Sequence, residues 1–208
     1  MHNKLLIASH NSGKVKEFQR MLSLDNVELL SLKDLDITFE AVECGKTFQE
    51  NSEIKAKIYG TLSGLITLAD DSGLSVDSLN GDPGVISARY GGEGLSDEDR
   101  VKLLLKNMRN IPTSERNAKF IAVLTLFIPG SKKRENKLIS IAGTCEGIIA
   151  DKAVGSNGFG YDPVFYVPSL KKTTAQISST EKDSISHRGK ALKKMRIEIQ
   201  KLYNRTND

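Results

Sequence analysis

Two acidic residues, Asp70 and Asp71, stand side by side directly after a short apolar run at residues 66–69. The run predicts a buried strand, so the acids would lie at a strand end, where α/β sheets commonly bind ligands. Two carboxylates this close are unfavourable unless a cation or a lysine compensates them. Carboxylate oxygens are also the ligands that Mg²⁺ prefers and combines with substrate phosphates. The pair, with Ser72 after it, therefore predicts a cation-dependent site, and a solvated turn is the alternative interpretation.

A second candidate site is the sequence SHNSGK at residues 9–14, which joins a predicted strand at residues 4–9 to a predicted helix at residues 14–24. Small residues let a backbone approach an anion closely, while the helix N-terminus and Lys14 supply positive potential. The segment is not a P-loop, because that motif requires Gly at the position of Ala8. An ordinary capped turn is an equal alternative. The residues of this candidate phosphate loop are Ser9, His10, Asn11, Ser12, Gly13 and Lys14.

Glycine-rich segments mark two further candidates. Residues 81–92 form a turn fixed by glycines and a proline, in which Arg89 would contact a phosphate, brace the two acids or form a structural salt bridge. Residues 157–163 place glycines around Phe159 and Tyr161, which would expose a ring face suited to stacking on a nucleobase. A plain aromatic turn is the alternative for this second segment. Its candidate residues are Phe159, Gly160, Tyr161 and Asp162.

Polar donors also gather at residues 182–190, just before a predicted last helix. A lone histidine is usually structural, but His187 stands close to Lys182 and Arg188 and is therefore better placed for function. His2, by contrast, is expected to be exposed and without a role. The spacings contain no nucleophile–histidine–acid arrangement, so the sequence gives no support to covalent catalysis.

These candidate sites need a scaffold in which strands and helices alternate. The sequence TFQE at residues 47–50 matches a capping box and predicts a helix whose buried face contains Ile54, Ile58 and Leu62. Strand–helix alternation followed by a long hairpin predicts an α/β fold with a mixed sheet. The predicted strands are residues 4–9, 27–32, 66–69, 74–79, 119–128 and 137–149, and the predicted helices are residues 14–24, 47–62, 96–108 and 186–203. The last helix is expected to bury Ala191, Leu192, Met195 and Ile199.

The composition of the 208-residue chain is that of a folded domain, with 38% hydrophobic and 27% charged residues. Its formal net charge of +4 is too small to indicate a nucleic-acid-binding protein. Cys44 and Cys145 are too far apart for a zinc motif and fit a reducing compartment. The longest nearly apolar run, residues 120–128, cannot span a bilayer, and the apolar stretch near the N-terminus is too short for a signal peptide. We therefore expect one cytoplasmic domain over residues 1–208, without nucleic-acid or membrane partners.

Taken in chain order, six segments resemble the inosine triphosphate pyrophosphatase family, whose members hydrolyse non-canonical purine nucleoside triphosphates. Each segment alone is a weak signal, whereas six in the family's order make a strong one. The sequence departs from the family at His10, where a small residue is common, at Val42, where an acid is common, and at residues 84–87. The segments are SHNSGK at 9–14, TFQEN at 47–51, LADDSGL at 68–74, GDPGVISARYGG at 81–92, GFGYDPVF at 158–165 and SHRGKAL at 186–192.

The resemblance implies a reaction in which ITP, dITP or XTP and water give the nucleoside monophosphate and pyrophosphate, with Mg²⁺ as cofactor. It also implies a homodimer and an elongated mixed sheet flanked by helices, with two lobes around a central cleft. Asp71 would be the general base and a metal ligand, beside Asp70, and Glu43 would be a second metal-side carboxylate. Lys14 and Lys55 would neutralise charge on the phosphates, with Asn51 lining the same cleft. The base pocket would contain Phe159, Gly160, Tyr161, Asp162, Lys182, His187 and Arg188.

Purine selection by such a pocket is chemically reasonable. Hypoxanthine and xanthine carry an acceptor at C6 and adenine carries a donor there, so the donors Lys182, His187 and Arg188 would pair with the first two bases. Guanine shares the C6 carbonyl, and the sequence does not explain how GTP would be rejected. One alternative is a Maf-like pyrophosphatase that acts on modified pyrimidine triphosphates. Another is nucleic-acid binding by the basic last helix, for which a solvated helix face is the preferred explanation.

Overall fold

The computed structural model describes residues 3–24 and 26–204, so His2 lies outside the described residues. The chain is divided into two compact units. The first unit contains the chain up to Asp71, residues 122–143 and the chain from Arg188 onward, and the second contains residues 72–121 and 144–187. The candidate site residues are therefore distributed over both units.

Seven strands form one mixed sheet, which confirms the predicted fold class. The strands are β1 (Asn3–Ala8), β2 (Val27–Ser31), β3 (Ile66–Val76), β4 (Asn117–Ile128), β5 (Lys137–Ile149), β6 (Phe165–Val167) and β7 (Lys172–Thr173), in the order β2-β1-β3-β4-β5-β6-β7. β1 pairs in parallel with β2 and β3, whereas β6 pairs antiparallel with β5 and β7. Ala8 is aligned with Ala69, so the loop after β1 begins beside Asp70.

Five α-helices accompany these strands in the described ranges, and local capping explains where most of them begin. They are α1 (Ser12–Met21), α2 (Phe48–Ser63), α3 (Asp97–Asn107), α4 (Ser179–Ile185) and α5 (His187–Asn204). Capping boxes start α2 at Thr47, α3 at Ser96 and α4 at Ser178. The sequence analysis missed α4, which is only seven residues long. None of the helices described is both long and apolar enough to cross a membrane.

Successive side chains of β1 and β3 point to opposite faces of the sheet, so the core of the first unit consists of two clusters. Leu5 and Leu68 pack with Phe18 of α1 and with the buried face of α5. The next residues along each strand, Leu6 and Ala69, pack in a second cluster with α2. The α5 face contains Ala191, Leu192, Met195 and Ile199, all buried as the sequence predicts. The second unit has its own core, in which Leu74 and Val76 of β3 pack with residues of α3.

One long strand replaces two predicted ones. Residues 66–69 and 74–79 were expected to be separate strands, but β3 runs without interruption from Ile66 to Val76, and a short 3₁₀ helix follows at Asp77–Leu79. Asp70 and Asp71 therefore lie inside a strand instead of at its end. A strand can continue through two acids when cations from other elements compensate each of them, and the sequence pattern alone does not show those cations.

The buried face of α2 also differs from the prediction. Ile58 is 36% exposed and Leu62 is 59% exposed, whereas Ala56 and Tyr59 are almost completely buried. Ser52 belongs to the buried face as well, because its hydroxyl lies 2.6 Å from the Thr125 hydroxyl of β4. The prediction assumed that the largest apolar side chains are buried. In the structure, close packing and a polar contact determine which face of α2 is buried. The result is two exposed apolar side chains on the opposite face of α2.

Candidate active site

The candidate phosphate loop joins β1 to α1 in the first unit. Asn11 is the N-cap of α1, and its side-chain oxygen accepts a hydrogen bond from the Lys14 backbone N–H at 3.0 Å. Ser9 closes the turn, because its hydroxyl accepts from the Asn11 backbone N–H at 3.2 Å. Ser12 and Gly13 therefore form the first turn of a helix, whose N-terminus carries partial positive charge. This geometry suits an anion, and it also directs the Lys14 side chain towards β3.

Strand alternation places Asp70 and Asp71 on opposite faces of β3. Leu68, two residues before Asp70, packs in the cluster that contains α1 and α5. Ala69, two residues before Asp71, packs in the cluster that contains α2. The two carboxylates are adjacent in sequence, but they face different helices and different charges.

Asp70 lies in a buried ion-pair network. Its Oδ2 accepts from Lys14 Nζ at 2.6 Å and from Arg188 Nη2 at 3.1 Å. Arg188 is 1% exposed and also donates through Nη1 to Glu17 Oε2 at 2.5 Å. Burial acts to raise the pKa of Asp70, but the charges of Arg188 and Lys14 outweigh burial and hold that pKa well below its usual 3.8. Asp70 is therefore ionised at neutral pH and fixes the Lys14 ammonium group.

Asp71 has fewer partners on the other face of β3. Its Oδ1 lies 3.4 Å from Lys55 Nζ, which in turn lies 2.7 Å from Glu43 Oε1. Its Oδ2 is buried and has no hydrogen-bond partner among the described residues. Burial raises the pKa of Asp71, and the carboxylates of Glu43 and Asp70 add to this effect against the opposing charge of Lys55. An under-satisfied carboxylate with increased proton affinity suits a general base or a cation ligand.

Asn51 adds a buried amide to the same face. It lies in the first turns of α2 and is 0% exposed. Its Oδ1 accepts from the Gly45 backbone N–H at 2.8 Å, while Nδ2 has no hydrogen-bond partner in the part of the chain that the structure describes. Buried amide donors are normally satisfied, so this nitrogen suits an acceptor that a ligand supplies.

The second unit contains a site of its own around Asp162, which is 2% exposed. Its Oδ2 accepts from the Phe159 backbone N–H at 2.9 Å and from Lys182 Nζ at 2.5 Å, and its Oδ1 accepts from the Thr174 hydroxyl at 2.8 Å. The Lys182 ammonium group lies 4.7 Å from the centre of the Phe159 ring. Gly160 adopts a positive φ of 60°, which lets the chain turn here. Asp162 therefore holds both the Phe159 turn and the Lys182 ammonium group.

His187 and Tyr161 are both buried in the second unit, in different surroundings. The His187 ring stacks on Phe120 with ring centres 4.9 Å apart and ring planes 16° apart. Tyr161 packs in the core of the unit and donates its hydroxyl to the Ser87 carbonyl at 2.9 Å. The Tyr161 side chain thus anchors the turn to the core of the unit, whereas the His187 ring packs against the face of Phe120.

The structure brings the predicted residues together in two groups. One group, in the first unit, contains the phosphate loop, Asp70, Asp71, Lys55, Glu43 and Asn51. The other group, in the second unit, contains Phe159, Asp162 and Lys182. His187 belongs to the same unit, where its ring stacks on Phe120. Ser72 and Arg89 also belong to the second unit, where Arg89 is exposed at the end of a 3₁₀ helix. The guanidinium of Arg188, which was predicted to belong to the base pocket, contacts Asp70 and Glu17 in the first unit.

Sequence reasoning missed three contributors to these groups. Glu17 holds Arg188, Phe120 stacks on His187, and Asp97 accepts from the Gly160 backbone N–H at 2.8 Å. Glu17 is the one that carried a weak signal, because it lies one helical turn after Lys14 and next to Met21, at the edge of the apolar face of α1. Phe120 and Asp97 are ordinary strand and helix-start residues, and only their three-dimensional contacts distinguish them.

Comparisons with known proteins agree on one family. The Ham1 family model matches residues 5–198. The chain is 45% identical over 192 residues to the dITP/XTP pyrophosphatase of Exiguobacterium sibiricum, which covers 92% of this chain and 94% of that protein. It is 42% identical over 190 residues to the dITP/XTP pyrophosphatase of Bacillus subtilis, covering 91% and 93%. The solved structure of the Staphylococcus aureus Ham1 protein matches with a TM-score of 0.81 and 39% identity, over 95% of this chain and 98% of that one.

Proposed function

The chain belongs to the Ham1 family, and from this membership we propose that it hydrolyses non-canonical purine nucleoside triphosphates to the monophosphate and pyrophosphate. ITP, dITP and XTP are the proposed substrates. The relatives named dITP/XTP pyrophosphatases support the reaction. The observation that carries it in this structure is Asp71, a buried carboxylate with one unsatisfied oxygen beside Lys55.

Mg²⁺ is the proposed cofactor, and the residues present fit it. The buried, unpartnered Oδ2 of Asp71 is suited to bind a cation. The Glu43 carboxylate is close by, because it forms an ion pair with Lys55, the same lysine that contacts Asp71. Within the described ranges, no group of three or more His, Cys, Asp and Glu side chains could hold a metal ion without help. Two carboxylates are the set that Mg²⁺ commonly uses when substrate phosphates complete its coordination. Asp71 and Glu43 would hold the ion, which supplies charge neutralisation to the phosphate oxygens.

The residues of this chain account for the rest of the proposed reaction. Asp71 orients a water molecule and takes a proton from it as the water oxygen bonds to the α-phosphorus. The bond from that phosphorus to the α–β bridging oxygen then breaks, and pyrophosphate leaves. Lys14, Lys55 and the N-terminus of α1 stabilise the negative charge that develops on the phosphate oxygens. Asp70 acts indirectly, because it fixes Lys14.

We assign purine selection to the second unit. Lys182 and His187 supply the donors for the C6 carbonyl, and Phe159 supplies a ring face. Asp162 fixes both Lys182 and the Phe159 turn. The Arg188 guanidinium is engaged with Asp70 and Glu17, so we propose that it braces the acidic group instead of contacting the base.

A nucleotide panel tests the proposed function. Purified protein is incubated with ITP, dITP, XTP, GTP, ATP, UTP and TTP, with Mg²⁺ or with EDTA, and both pyrophosphate and phosphate are measured. We expect Mg²⁺-dependent pyrophosphate release from ITP, dITP and XTP, with ATP used poorly. Direct release of phosphate would contradict the reaction, and preference for pyrimidine triphosphates, extended to modified ones, would favour the Maf-like alternative.

We further propose that the protein is a cytoplasmic homodimer that does not bind nucleic acid. The family resemblance supports the dimer, and Ile58 and Leu62 offer exposed apolar area on α2. The basic residues Lys190, Lys193, Lys194 and Arg196 lie on the solvent-exposed face of α5, as expected for a solvated helix. Light scattering that gives a monomer mass would contradict the dimer. Salt-sensitive retention on RNA or DNA would contradict the absence of a nucleic-acid partner.

A further inference from the structure

Glu43 lies in a segment without regular secondary structure, residues 37–45, which leads to the N-cap of α2. We call these residues the Glu43 segment. A carboxylate on irregular backbone is only as well placed as the contacts that hold that backbone. Glu43 reaches Lys55 at 2.7 Å, so the position of this segment determines how Lys55 is divided between Glu43 and Asp71.

Two side chains of α2 hold this segment from one side. The Tyr59 hydroxyl donates to the Phe39 carbonyl at 3.2 Å and accepts from the Ala41 backbone N–H at 2.9 Å. Burial raises the pKa of Tyr59, so the hydroxyl keeps the proton that it donates. Asn51 accepts from the Gly45 backbone N–H at 2.8 Å. Glu43 therefore lies between two anchored points.

His10 holds the same segment from the phosphate loop. Its Nε2 lies 2.9 Å from the Phe39 carbonyl oxygen. A carbonyl oxygen accepts hydrogen bonds and does not donate them, so Nε2 must carry the proton. The His10 ring also meets Tyr59 edge-on, with ring centres 6.2 Å apart and planes at 73°. The Phe39 carbonyl thus receives one hydrogen bond from α2 and one from the loop proposed to bind phosphates.

We propose that His10 is a positioning residue that joins the phosphate loop to the Glu43 segment. Through this hydrogen bond, occupation of the loop by substrate phosphates and the placement of Glu43 depend on each other. The inference rests on the proposed function, because Glu43 is there a metal-side carboxylate. His10 is exposed, so its hydrogen bond is not needed to satisfy a buried donor, and its loss leaves the core unchanged.

Two amide substitutions of His10 test whether the hydrogen bond to the Phe39 carbonyl oxygen is what matters. In His10→Gln the amide nitrogen reaches about as far as Nε2, whereas in His10→Asn it is too short to reach the Phe39 carbonyl. Both side chains are neutral amides with the same donors. Backbone hydrogen exchange of residues 37–45 is measured by mass spectrometry on the metal-free proteins. The Mg²⁺ concentration for half-maximal ITP hydrolysis is measured on the same samples.

We expect His10→Asn to speed exchange in the Glu43 segment about threefold and to raise the half-maximal Mg²⁺ concentration by a similar factor, with His10→Gln close to wild type. Exchange in α5 serves as the reference for global stability and should be unchanged. Equal exchange of residues 37–45 in both variants and wild type would overturn the inference. If the wild-type protein hydrolysed no nucleoside triphosphate, the proposed function would fail, while the exchange comparison would still report on the His10 hydrogen bond.

Discussion

Asp70 and Asp71 are identical side chains at adjacent positions of one strand, and the two faces of β3 surround them differently. On the first face, Asp70 contacts two cations, Lys14 and Arg188, and its pKa is held far below the usual value. On the second face, Asp71 shares one lysine with Glu43 and has a raised pKa. One carboxylate is electrostatically satisfied and the other is not.

This difference indicates a division of labour between the two acids. A satisfied carboxylate cannot take up a proton readily, but it can fix cations in place. An unsatisfied carboxylate destabilises the protein slightly and gains the ability to bind a proton or a cation, which is common at functional sites. Substitutions on the two faces of β3 should therefore separate stability from activity.

The largest expected effect is the loss of activity in Asp71→Asn. An amide of the same size cannot accept a proton from water, so we expect kcat for ITP to fall about a thousandfold. The free energy of unfolding should be equal to or higher than that of wild type, because the substitution removes a charge that burial disfavours. Steady-state kinetics and urea unfolding measure the two quantities. Near-normal turnover would remove Asp71 from the role of general base.

Asp70→Asn, in contrast to Asp71→Asn, should lower the free energy of unfolding. It leaves Lys14 and Arg188 buried with less compensating charge, and breaking such a network from one side costs about 3 kcal/mol of stability. Urea unfolding compared directly with Asp71→Asn provides the measurement and a control of matched chemistry. If the two variants had the same stability, the contrast between the two faces of β3 would be wrong.

Local elements of this fold were predictable because their signals are local. The capping boxes at Thr47 and Ser96 and the long strands β4 and β5 follow from residues close together in sequence. The ion pairs that Asp70 and Asp71 form with cations were not predictable in this way. Arg188 lies 118 positions from Asp70, and only the folded arrangement of α5 brings the two together.

The same reasoning explains what the sequence predicted about the site. Acids, lysines and glycine-flanked aromatics stood out by residue type, and the resemblance assigned them roles that remain proposals. The assignment of Arg188 to the base pocket grouped it with its sequence neighbour His187. In the structure, these neighbours at the start of α5 belong to different units. The sequence did not show that the Arg188 side chain contacts Asp70 and Glu17, and its assignment to the base pocket stays a prediction.

Glu17→Gln tests the outer member of the network on the Asp70 face. The amide still fits beside Arg188 but removes one charge from a buried pair, so we expect a loss of stability of about 2 kcal/mol. Activity should fall less than in Asp71→Asn, because Asp70 still holds Arg188. Glu28→Gln is the matched control, since Glu28 forms an exposed pair with Lys4 at 3.8 Å, and its effect should be below about 1 kcal/mol. Equal effects of the two substitutions would show that Glu17 is not part of a network that supports the fold.

The smallest expected effect is a pH dependence that differs in sign between the two acids, measured in metal-free buffer. The raised pKa of Asp71 means that, between the unfolded value near 3.8 and its folded value, the native protein binds more protons than the unfolded chain. Stability from this group therefore increases as the pH falls through that window. The stability advantage of Asp71→Asn over wild type should accordingly shrink between pH 7 and pH 4.

The depressed pKa of Asp70 acts in the other direction. Its contribution is fully present above the unfolded value near 3.8 and is lost as the pH falls below it, because the unfolded chain then binds more protons. The deficit of Asp70→Asn relative to wild type should therefore stay constant from pH 7 to pH 5 and shrink only in stronger acid. Unfolding curves of the three proteins at several pH values measure both differences. If the Asp71→Asn and wild-type stabilities ran parallel down to pH 4, Asp71 would have an ordinary proton affinity, and the case for an unsatisfied carboxylate on the second face of β3 would fail.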